Sequence, residues 1–222
     1  LVCQGGEGGG HTGETPTWLL LGQVLDMAPG VPVVACGGFR DGRGLAAALA
    51  FGADGIAMGT RFMMTDDSPT PEVTKQAYLA AEVTKIPVST KLDGLPQRMV
   101  LNERLEALEK SSGLGMLARG VKNGLRYKDQ TGESLLSILK TAWSMSRKSD
   151  LTLGQTLMAA NAPMIIQEAM VHGSPKEGVL PSGQVAGLID DLPTCADLIE
   201  SIVSEAEARM AALSGQRLAA AE

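Results

Sequence analysis

Aromatic side chains are scarce in this sequence and make up only 3% of its 222 residues. Surfaces that stack the bases of single-stranded nucleic acid depend on such side chains. Basic residues are also outnumbered, because 19 lysines and arginines stand against 25 aspartates and glutamates, a formal net charge of −6. Proteins that grip nucleic acid by its phosphates usually carry the opposite sign. The composition therefore argues against nucleic acid as a partner.

Paired cysteines, paired histidines and long apolar runs are missing as well. The three cysteines, Cys3, Cys36 and Cys195, lie far apart, and neither a Cys-x-x-Cys nor a His-x-x-x-His spacing occurs. We therefore expect no disulfide framework and no metal site, and a reduced, cytoplasmic setting is favoured. Apolar runs such as 45–51 are too short to span a bilayer, and no basic leader precedes an apolar stretch. We expect no contact with a membrane.

Glycine is abundant, with 27 residues in the chain. Several of these glycines crowd the first positions: Gly5, Gly6, Gly8, Gly9, Gly10 and Gly13. Such a segment allows the backbone to approach a ligand closely. The remaining composition, 44% hydrophobic and 20% charged, is typical of a globular chain.

Residues 1–62 alternate between strand and helix patterns. Strands are predicted at Leu1–Cys3, Val31–Ala35 and Asp54–Met58, and helices run from the Thr15-Pro16 cap to Gly30 and from the Asp41 cap through Gly42–Phe51 to Gly52. Apolar strands joined by helical crossovers predict a parallel α/β sheet. Residues 1–3 have the pattern of the last residues of a buried strand. We therefore expect the chain to be a piece of a longer fold.

After residue 65 the pattern becomes mostly helical. Helices are predicted from Thr70-Pro71 to about Val83, at Glu103–Ser111, Leu114–Leu125, Glu133–Lys148 and Leu153–Val171, and from the Thr194 cap through Cys195 to Leu213. Residues 87–102 are predicted as irregular or extended, and residues 173–183 as a loop. We divide the chain into 1–65 (barrel part), 66–193 (added, mostly helical domain) and 194–222 (helix and frayed tail).

Two glycine-marked strand exits predict an anion site. Gly37-Gly38 and Gly59-Thr60 follow neighbouring strands separated by one helical crossover. In parallel α/β folds the carboxyl ends of the strands bind ligands, and the last two loops of a (β/α)8 barrel often hold a phosphate. The alternative is that these glycines only allow tight turns after the strands.

His11 is the candidate for proton transfer. It follows the glycine-rich loop, and histidine is the side chain best suited to moving protons near neutral pH. The alternative is a loop histidine that only forms local hydrogen bonds. His172, beside Gly173, is better explained as a helix C-terminal cap. Glu7 is either a base or an acceptor for backbone amides, and Cys3 and Cys36 are best explained as small buried hydrophobic residues.

The order of these motifs resembles the nitronate monooxygenase family, formerly called 2-nitropropane dioxygenases. The resemblance covers most of the chain, is strongest in 1–65, and lies in residues 4–13, 33–39, 41–44, 51–55, 58–62, 93–98 with Asn102, and 183–187. Gly8 stands where the family usually has alanine. Each motif is weak alone, but their combined order is specific.

The resemblance implies an FMN-dependent TIM barrel with an added helical domain. Residues 1–4, 31–35 and 54–58 would then be the ends or bodies of strands 6, 7 and 8, and the first five strands would lie outside this sequence. Since three strands cannot close a barrel, we expect this piece alone to be inactive. By position, His11 matches the catalytic histidine, and the cofactor-binding candidates are Gly9, Gly37, Gly38, Met58, Gly59 and Thr60.

The activity implied by the resemblance is oxidation of alkyl nitronates with O₂ to a carbonyl compound and nitrite. The partners would be a small nitronate or nitroalkane, O₂ and FMN. An enoyl-thioester reductase of the same superfamily, using NAD(P)H and FMN, is an alternative because its histidine loop is similar. A phosphate-binding barrel piece without redox chemistry and an interaction module that binds no flavin are further alternatives. The physiological substrate and the oligomeric state are left open.

Overall fold

The computed structural model describes residues 1–111 and 153–215. Its strands are β1 (Val2–Gln4), β2 (Gly10–His11), β3 (Val34–Cys36), β4 (Gly55–Ala57), β5 (Val88–Ser89), β6 (Gln97–Val100) and β7 (Leu180–Pro181). Its helices are α1 (Thr17–Met27), α2 (Gly42–Phe51), α3 (Thr60–Met63), α4 (Glu72–Leu79), α5 (Glu103–Glu109), α6 (Leu153–Met170) and α7 (Cys195–Ser214). The helices predicted at 114–125 and 133–148 lie outside the described residues.

The first half forms the predicted parallel sheet. Its strand order is β1–β3–β4, with Val34 paired to Val2 on one side and to Gly55 on the other. Helices α1 and α2 are the crossovers between these strands. All three strands end at the same edge, because parallel strands joined by crossovers run in one direction. The glycine-rich segments that follow the strands therefore meet there.

Helix α2 begins and ends as its sequence predicts. The Asp41 carboxylate accepts the Arg43 backbone N–H at 3.1 Å, which satisfies one of the free donors of the first turn. Gly52 ends the helix in the left-handed conformation, at φ +112°. That conformation disfavours any residue with a Cβ, so glycine is the natural stop signal.

The start of α1 differs from its prediction. Thr15 was the expected cap, but Pro16 occupies that position and caps nothing with its side chain. The Glu7 carboxylate instead accepts both the backbone N–H of Thr17, at 2.9 Å, and its hydroxyl, at 2.6 Å. A residue ten positions away thus supplies the acceptor that a local cap usually provides.

Short antiparallel strands occur in segments predicted as irregular, extended or loop. β6 pairs with β2 and β5, and β7 pairs with β6 through Met99 and Val100. Strands of two residues carry almost no alternation, so their sequence gives no signal. The pairing of β2 with β6 joins the glycine-rich loop directly to the segment after residue 87.

The remaining helix boundaries differ by a few residues. Helix α4 ends at Leu79, and a separate 3-10 turn covers Val83–Lys85. Thr194 caps α7 as predicted, because its hydroxyl accepts the Asp197 N–H at 3.1 Å. No helix among residues 1–111 and 153–215 has the length and apolar character that crossing a membrane requires.

Three buried clusters hold the described residues together. One lies under the parallel sheet and includes Leu21, Val33 and Ala35. The other two lie in the later part of the chain, around Tyr78 and around Leu105. The Tyr78 hydroxyl donates to the Pro181 carbonyl at 2.7 Å, and burial strongly raises the pKa of this phenol. The second half therefore has cores of its own beside the barrel part.

Candidate active site

A cavity of about 280 Å³ opens where the three parallel strands end. This volume lies near the lower end of the ~300–1,000 Å³ range of small-molecule sites. The cavity is lined by all six residues predicted to bind the cofactor, namely Gly9, Gly37, Gly38, Met58, Gly59 and Thr60. The rest of its wall includes Gln4, Gly8, Gly10, Cys36 and Gly183. The fold thus brings three separate glycine segments to one place.

The glycines at the first strand exit are required by the backbone. Gly37 and Gly38 have φ values of +102° and +82°, which residues with a Cβ rarely adopt. These φ values agree with the alternative explanation that the two glycines allow a tight turn after the strand. The turn also brings their peptide groups to the wall of the cavity, since both residues line it.

Gly59 is different, because nothing in the protein requires a glycine there. Its φ is −87°, and a Cβ would meet no atom within 4 Å. The space that a side chain would fill adjoins the cavity. Within the described part of the chain, the N–H groups of Gly38 and Gly59 donate to no protein acceptor. Open backbone donors beside a cradle without side chains fit the phosphate of a flavin mononucleotide.

A clasp between two loops closes one side of the cavity. The Thr60 hydroxyl accepts the Gly183 N–H at 2.8 Å, which leaves its own hydrogen free to donate. A Cβ at Gly9 would lie 2.4 Å from the Gly183 nitrogen and 2.5 Å from the Ser182 carbonyl carbon. Gly9 must therefore be a glycine so that the 182–183 backbone can pack against it.

His11 lies beside the cavity, and its ring is not part of the wall. Its side chain is 59% exposed, and its Nε2 lies 2.8 Å from Asp93 Oδ2. The Gln97 amide nitrogen approaches the same histidine nitrogen at 3.1 Å and also donates to Asp93 Oδ2. Asp93 Oδ1 accepts the Leu95 N–H at 2.9 Å. An almost fully buried carboxylate thus holds an exposed imidazole.

The glycine-rich loop is anchored by residues that serve the structure. Glu7, considered as a base, instead binds Thr17 at the start of α1. Arg98 donates to the Gly6 carbonyl from Nε at 3.2 Å and from an Nη at 2.8 Å. Partial burial lowers the pKa of Arg98, and the nearby negative charge of Glu7 opposes that shift. These contacts hold the loop that carries His11.

The other candidates lie apart from this chemistry. The His172 N–H donates to the Gln167 carbonyl at 3.0 Å, and Gly173 follows at φ +68°, so backbone groups close helix α6. Burial raises the pKa of the Cys3 and Cys36 thiols, although the Gly37 N–H partly opposes this for Cys36. Within residues 1–111 and 153–215, no group of three His, Cys, Asp or Glu side chains could hold a metal ion.

Sequence reasoning missed the role of Asp93, Gln97 and Gly183. All three lie in segments that carried the family resemblance, but no chemistry was assigned to them. Asp93 is 82 residues from His11, and Gly183 is 123 residues from Thr60. The sequence signal for these residues was the family resemblance of residues 93–98 and 183–187, because contacts over such separations leave no periodic pattern along the chain.

Comparison with known proteins gives two groups of relatives. "(3aS,4S,5R,7aS)-5-hydroxy-7a-methyl-1-oxo-octahydro-1H-indene-4-carboxyl-CoA dehydrogenase" of Rhodococcus jostii is 48% identical over 217 residues, which cover 98% of this chain and 61% of the relative. A "probable nitronate monooxygenase" of Staphylococcus saprophyticus is 38% identical over 114 residues, which cover 46% of this chain and 32% of the relative. The chain thus spans about three fifths of the length of the first relative.

The solved structures agree on the fold. FabK from Thermotoga maritima superposes with a TM-score of 0.67 at 26% identity, over 96% of this chain and 56% of that chain. The parallel sheet with its crossover helices is accordingly part of a TIM barrel. The family model for nitronate monooxygenase matches residues 1–205, which include the glycine loops, His11 and the segment from Asp93 to Arg98. This chain therefore belongs to the nitronate monooxygenase family of oxidoreductases.

Proposed function

We propose that this chain forms the cofactor and proton-transfer site of an FMN-dependent dehydrogenase that oxidises a hydroxylated, fused-ring acyl-CoA thioester. One observation carries this proposal: the 48% identity to the Rhodococcus dehydrogenase extends over 98% of the chain. The resemblance to the staphylococcal nitronate monooxygenase is weaker and covers less than half of it. The substrate class of the first relative is therefore the better guide.

The cavity supplies the groups that would hold FMN. The N–H groups of Gly38 and Gly59, together with the free hydrogen of the Thr60 hydroxyl, would bind its phosphate. Gly9, Gly37 and Met58 line the same wall, and a ligand can lie against them. A bound flavin supplies the oxidising chemistry, because it accepts two electrons as a hydride.

His11 is the proposed base. The name of the Rhodococcus relative places the thioester on a ring carbon, and the hydrogen on that carbon is acidified by the adjoining carbonyl. We infer that His11 takes this proton and that a hydride leaves the neighbouring carbon, so that a carbon–carbon double bond forms. An exposed imidazole at the cavity rim can reach a substrate that enters from outside.

Nitronate oxidation is the second candidate, favoured by the match to the family model and by the staphylococcal relative. With a neutral nitroalkane the role of His11 would be similar, because a nitro group also acidifies its neighbouring hydrogen. A nitronate anion has already lost that hydrogen, and His11 would instead donate a hydrogen bond to it. In that case O₂ is the oxidant, and a carbonyl compound and nitrite are the products.

We also propose that residues 1–65 form the barrel part, that residues 66–193 form an added substrate domain, and that residues 194–222 form the last helix and tail. A cytoplasmic setting is part of the same proposal.

The test uses the protein encoded by the complete gene, loaded with FMN and kept without oxygen. Flavin absorbance is followed after adding the hydroxyindane carboxyl-CoA thioester, propyl nitronate or NADPH. Bleaching by the thioester supports the dehydrogenase, and bleaching by the nitronate alone supports the second candidate. Bleaching by NADPH alone would indicate an enoyl-thioester reductase. A protein that binds no flavin would contradict all three.

Replacing His11 tests the base directly. We expect His11→Asn to keep its flavin. The rate at which the acyl-CoA thioester reduces the flavin should fall by ~10²–10⁴-fold, the usual contribution of a general base. The matched control is His172→Asn, since the second histidine of the sequence closes helix α6 through its backbone N–H. Rapid-mixing spectroscopy measures both rates. An unchanged rate in His11→Asn would rule out this residue as the base.

A further inference from the structure

The carboxylate of Asp93 receives hydrogen bonds from three directions. Its Oδ1 accepts the Leu95 N–H at 2.9 Å, while Oδ2 faces both the His11 Nε2 and the Gln97 amide nitrogen. The side chain is only 10% exposed. Three donors surround one buried carboxylate and leave it few other acceptor positions.

The number of hydrogens assigns the tautomer of His11. The Gln97 amide nitrogen carries hydrogens only, so it cannot accept a hydrogen bond from the imidazole. The two nitrogens lie 3.1 Å apart, and the Asp93 carboxylate oxygen Oδ2, which can only accept a hydrogen bond, lies 2.8 Å from His11 Nε2. His11 therefore carries its hydrogen on Nε2. Its Nδ1 then has a free lone pair, and within residues 1–111 and 153–215 the hydrogen bonds of the His11 ring all involve Nε2.

The segment that carries Asp93 is itself fixed to the histidine loop. His11 pairs with Gln97 in the β2–β6 ladder, and the Thr12 N–H donates to the Pro96 carbonyl at 3.1 Å. Arg98 binds the Gly6 carbonyl from the same strand. Backbone hydrogen bonds and the Arg98 contacts thus place the 93–98 segment beside the histidine loop.

We propose that Asp93 and Gln97 are positioning residues for His11: Asp93 fixes the tautomer that leaves Nδ1 to take the substrate proton, and Gln97 holds the carboxylate. This inference rests on the proposed role of His11 as the base. It assigns a function to the 93–98 segment, which the family resemblance singled out without giving it a role. An aspartate in this arrangement also stabilises the imidazolium that forms when the proton arrives.

The variant Asp93→Asn separates this role from simple packing. The Leu95 N–H keeps the amide oxygen in the place of Oδ1, so the amide nitrogen takes the place of Oδ2. That nitrogen has two hydrogens: one meets His11 Nε2, which must become the acceptor, and the other meets the Gln97 amide, which must turn so that its oxygen accepts. The hydrogen of His11 then moves to Nδ1, where it blocks proton uptake. We expect the rate of flavin reduction to fall at least ~10²-fold while flavin content is unchanged.

Nitrogen-15 NMR of the histidine side chains provides a measurement that does not depend on turnover. The wild-type holoenzyme should show His11 with its hydrogen on Nε2, and Asp93→Asn should show it on Nδ1. Asp54→Asn is the matched control, because the Asp54 carboxylate also accepts a backbone N–H, from Val33 at 2.7 Å, in another part of the fold. It should change neither the tautomer nor the rate.

The outcomes separate this inference from the proposed function. A slow His11→Asn together with a wild-type rate in Asp93→Asn overturns the positioning role and leaves the proposed function intact. A wild-type rate in His11→Asn overturns both. A wild-type His11 with its hydrogen on Nδ1 overturns the positioning role without any variant. A shifted tautomer and a slow Asp93→Asn, with no further loss when His11→Asn is added, support it.

Discussion

At the scale of single residues, the glycines of the candidate site differ in whether, and why, the structure requires a glycine. Gly37 and Gly38 are required by left-handed backbone, and Gly9 by the close approach of Ser182 and Gly183. Gly59 is required by neither, since the space beside it is open. A substitution at Gly59 therefore tests ligand binding without disturbing the fold. A substitution at Gly9, Gly37 or Gly38 would change both.

We expect Gly59→Ala to weaken FMN binding by at least about tenfold without lowering the melting temperature of the apoprotein. The added methyl group meets no protein atom within 4 Å but enters the space beside the cavity. Gly13→Ala is the control, because a Cβ at this exposed position of the histidine loop also meets nothing. Flavin titration followed by fluorescence measures both. Equal affinities in the two variants would place the phosphate elsewhere.

At the scale of elements, the capping residues of the helices differ in their sequence distance from the helix that they cap. Asp41 caps α2 from the adjacent position, and the neighbouring guanidinium groups of Arg43 and Arg40 lower the pKa of its carboxyl group to about 2. Glu7 caps α1 from a loop ten residues earlier. Asn102 caps α5 and also donates to the carbonyls of Pro175 and Gly178. Local caps can be recognised in the sequence, and remote ones cannot.

Asp41→Ala should lower the free energy of unfolding by about 1 kcal/mol at neutral pH, the typical contribution of a cap. Because folding lowers the pKa of Asp41, its contribution is complete above the unfolded pKa near 3.8 and disappears as the pH falls towards 2. The difference between variant and wild type should therefore shrink between pH 4 and pH 2. Urea unfolding at several pH values measures it.

Asn102→Ala provides the comparison for Asp41→Ala. The side chain of Asn102 also caps a helix, through the Leu105 N–H at 2.9 Å, but it does not titrate. Its destabilisation should be nearly constant over the same pH range. A parallel decline in both variants would mean that the Asp41 charge makes no specific contribution.

At the scale of the whole molecule, contacts between distant parts decide the arrangement. Helix α7 packs on α2, and the Gly42 backbone N–H donates to the Glu205 carboxylate at 2.9 Å. A Cβ at Gly42 would lie 2.4 Å from the Ile202 carbonyl oxygen. The end of the chain thus returns to the barrel part, and the lack of a side chain at Gly42 allows the two helices to touch.

Gly42→Ala should lower stability by about 1–3 kcal/mol, because backbone atoms of α7 must move to admit the methyl group. Gly22→Ala is the matched control inside α1, where the nearest atoms belong to the Phe51 ring at 3.5 Å and 3.6 Å. This variant should be up to about 1 kcal/mol more stable, since alanine favours a helix. Chemical denaturation measures both. A loss of the same size in both variants would contradict the packing argument.

The sequence alone determined the parallel βαβ order, the cap and stop of α2 and the glycines at the strand ends. These features depend on residues that are neighbours along the chain or repeat with the period of a helix or strand. The short strands β2, β5, β6 and β7 could not be predicted in this way. The strands β1, β3 and β4 are just as short, but they lie in apolar runs that alternate with helix patterns, whereas the four antiparallel strands lie in mixed sequence and depend on pairing with distant segments.

Only the tertiary structure decided how the candidate site is completed. Glu7 binds the start of α1, Thr60 binds Gly183, and Asp93 binds His11 across 82 residues. Two polar groups that are far apart in the sequence meet only after the intervening chain has folded. Which groups pair then depends on their positions in the fold and on the need of buried donors for an acceptor. The sequence therefore determines which chemical groups are present, and the tertiary structure determines which of them form pairs.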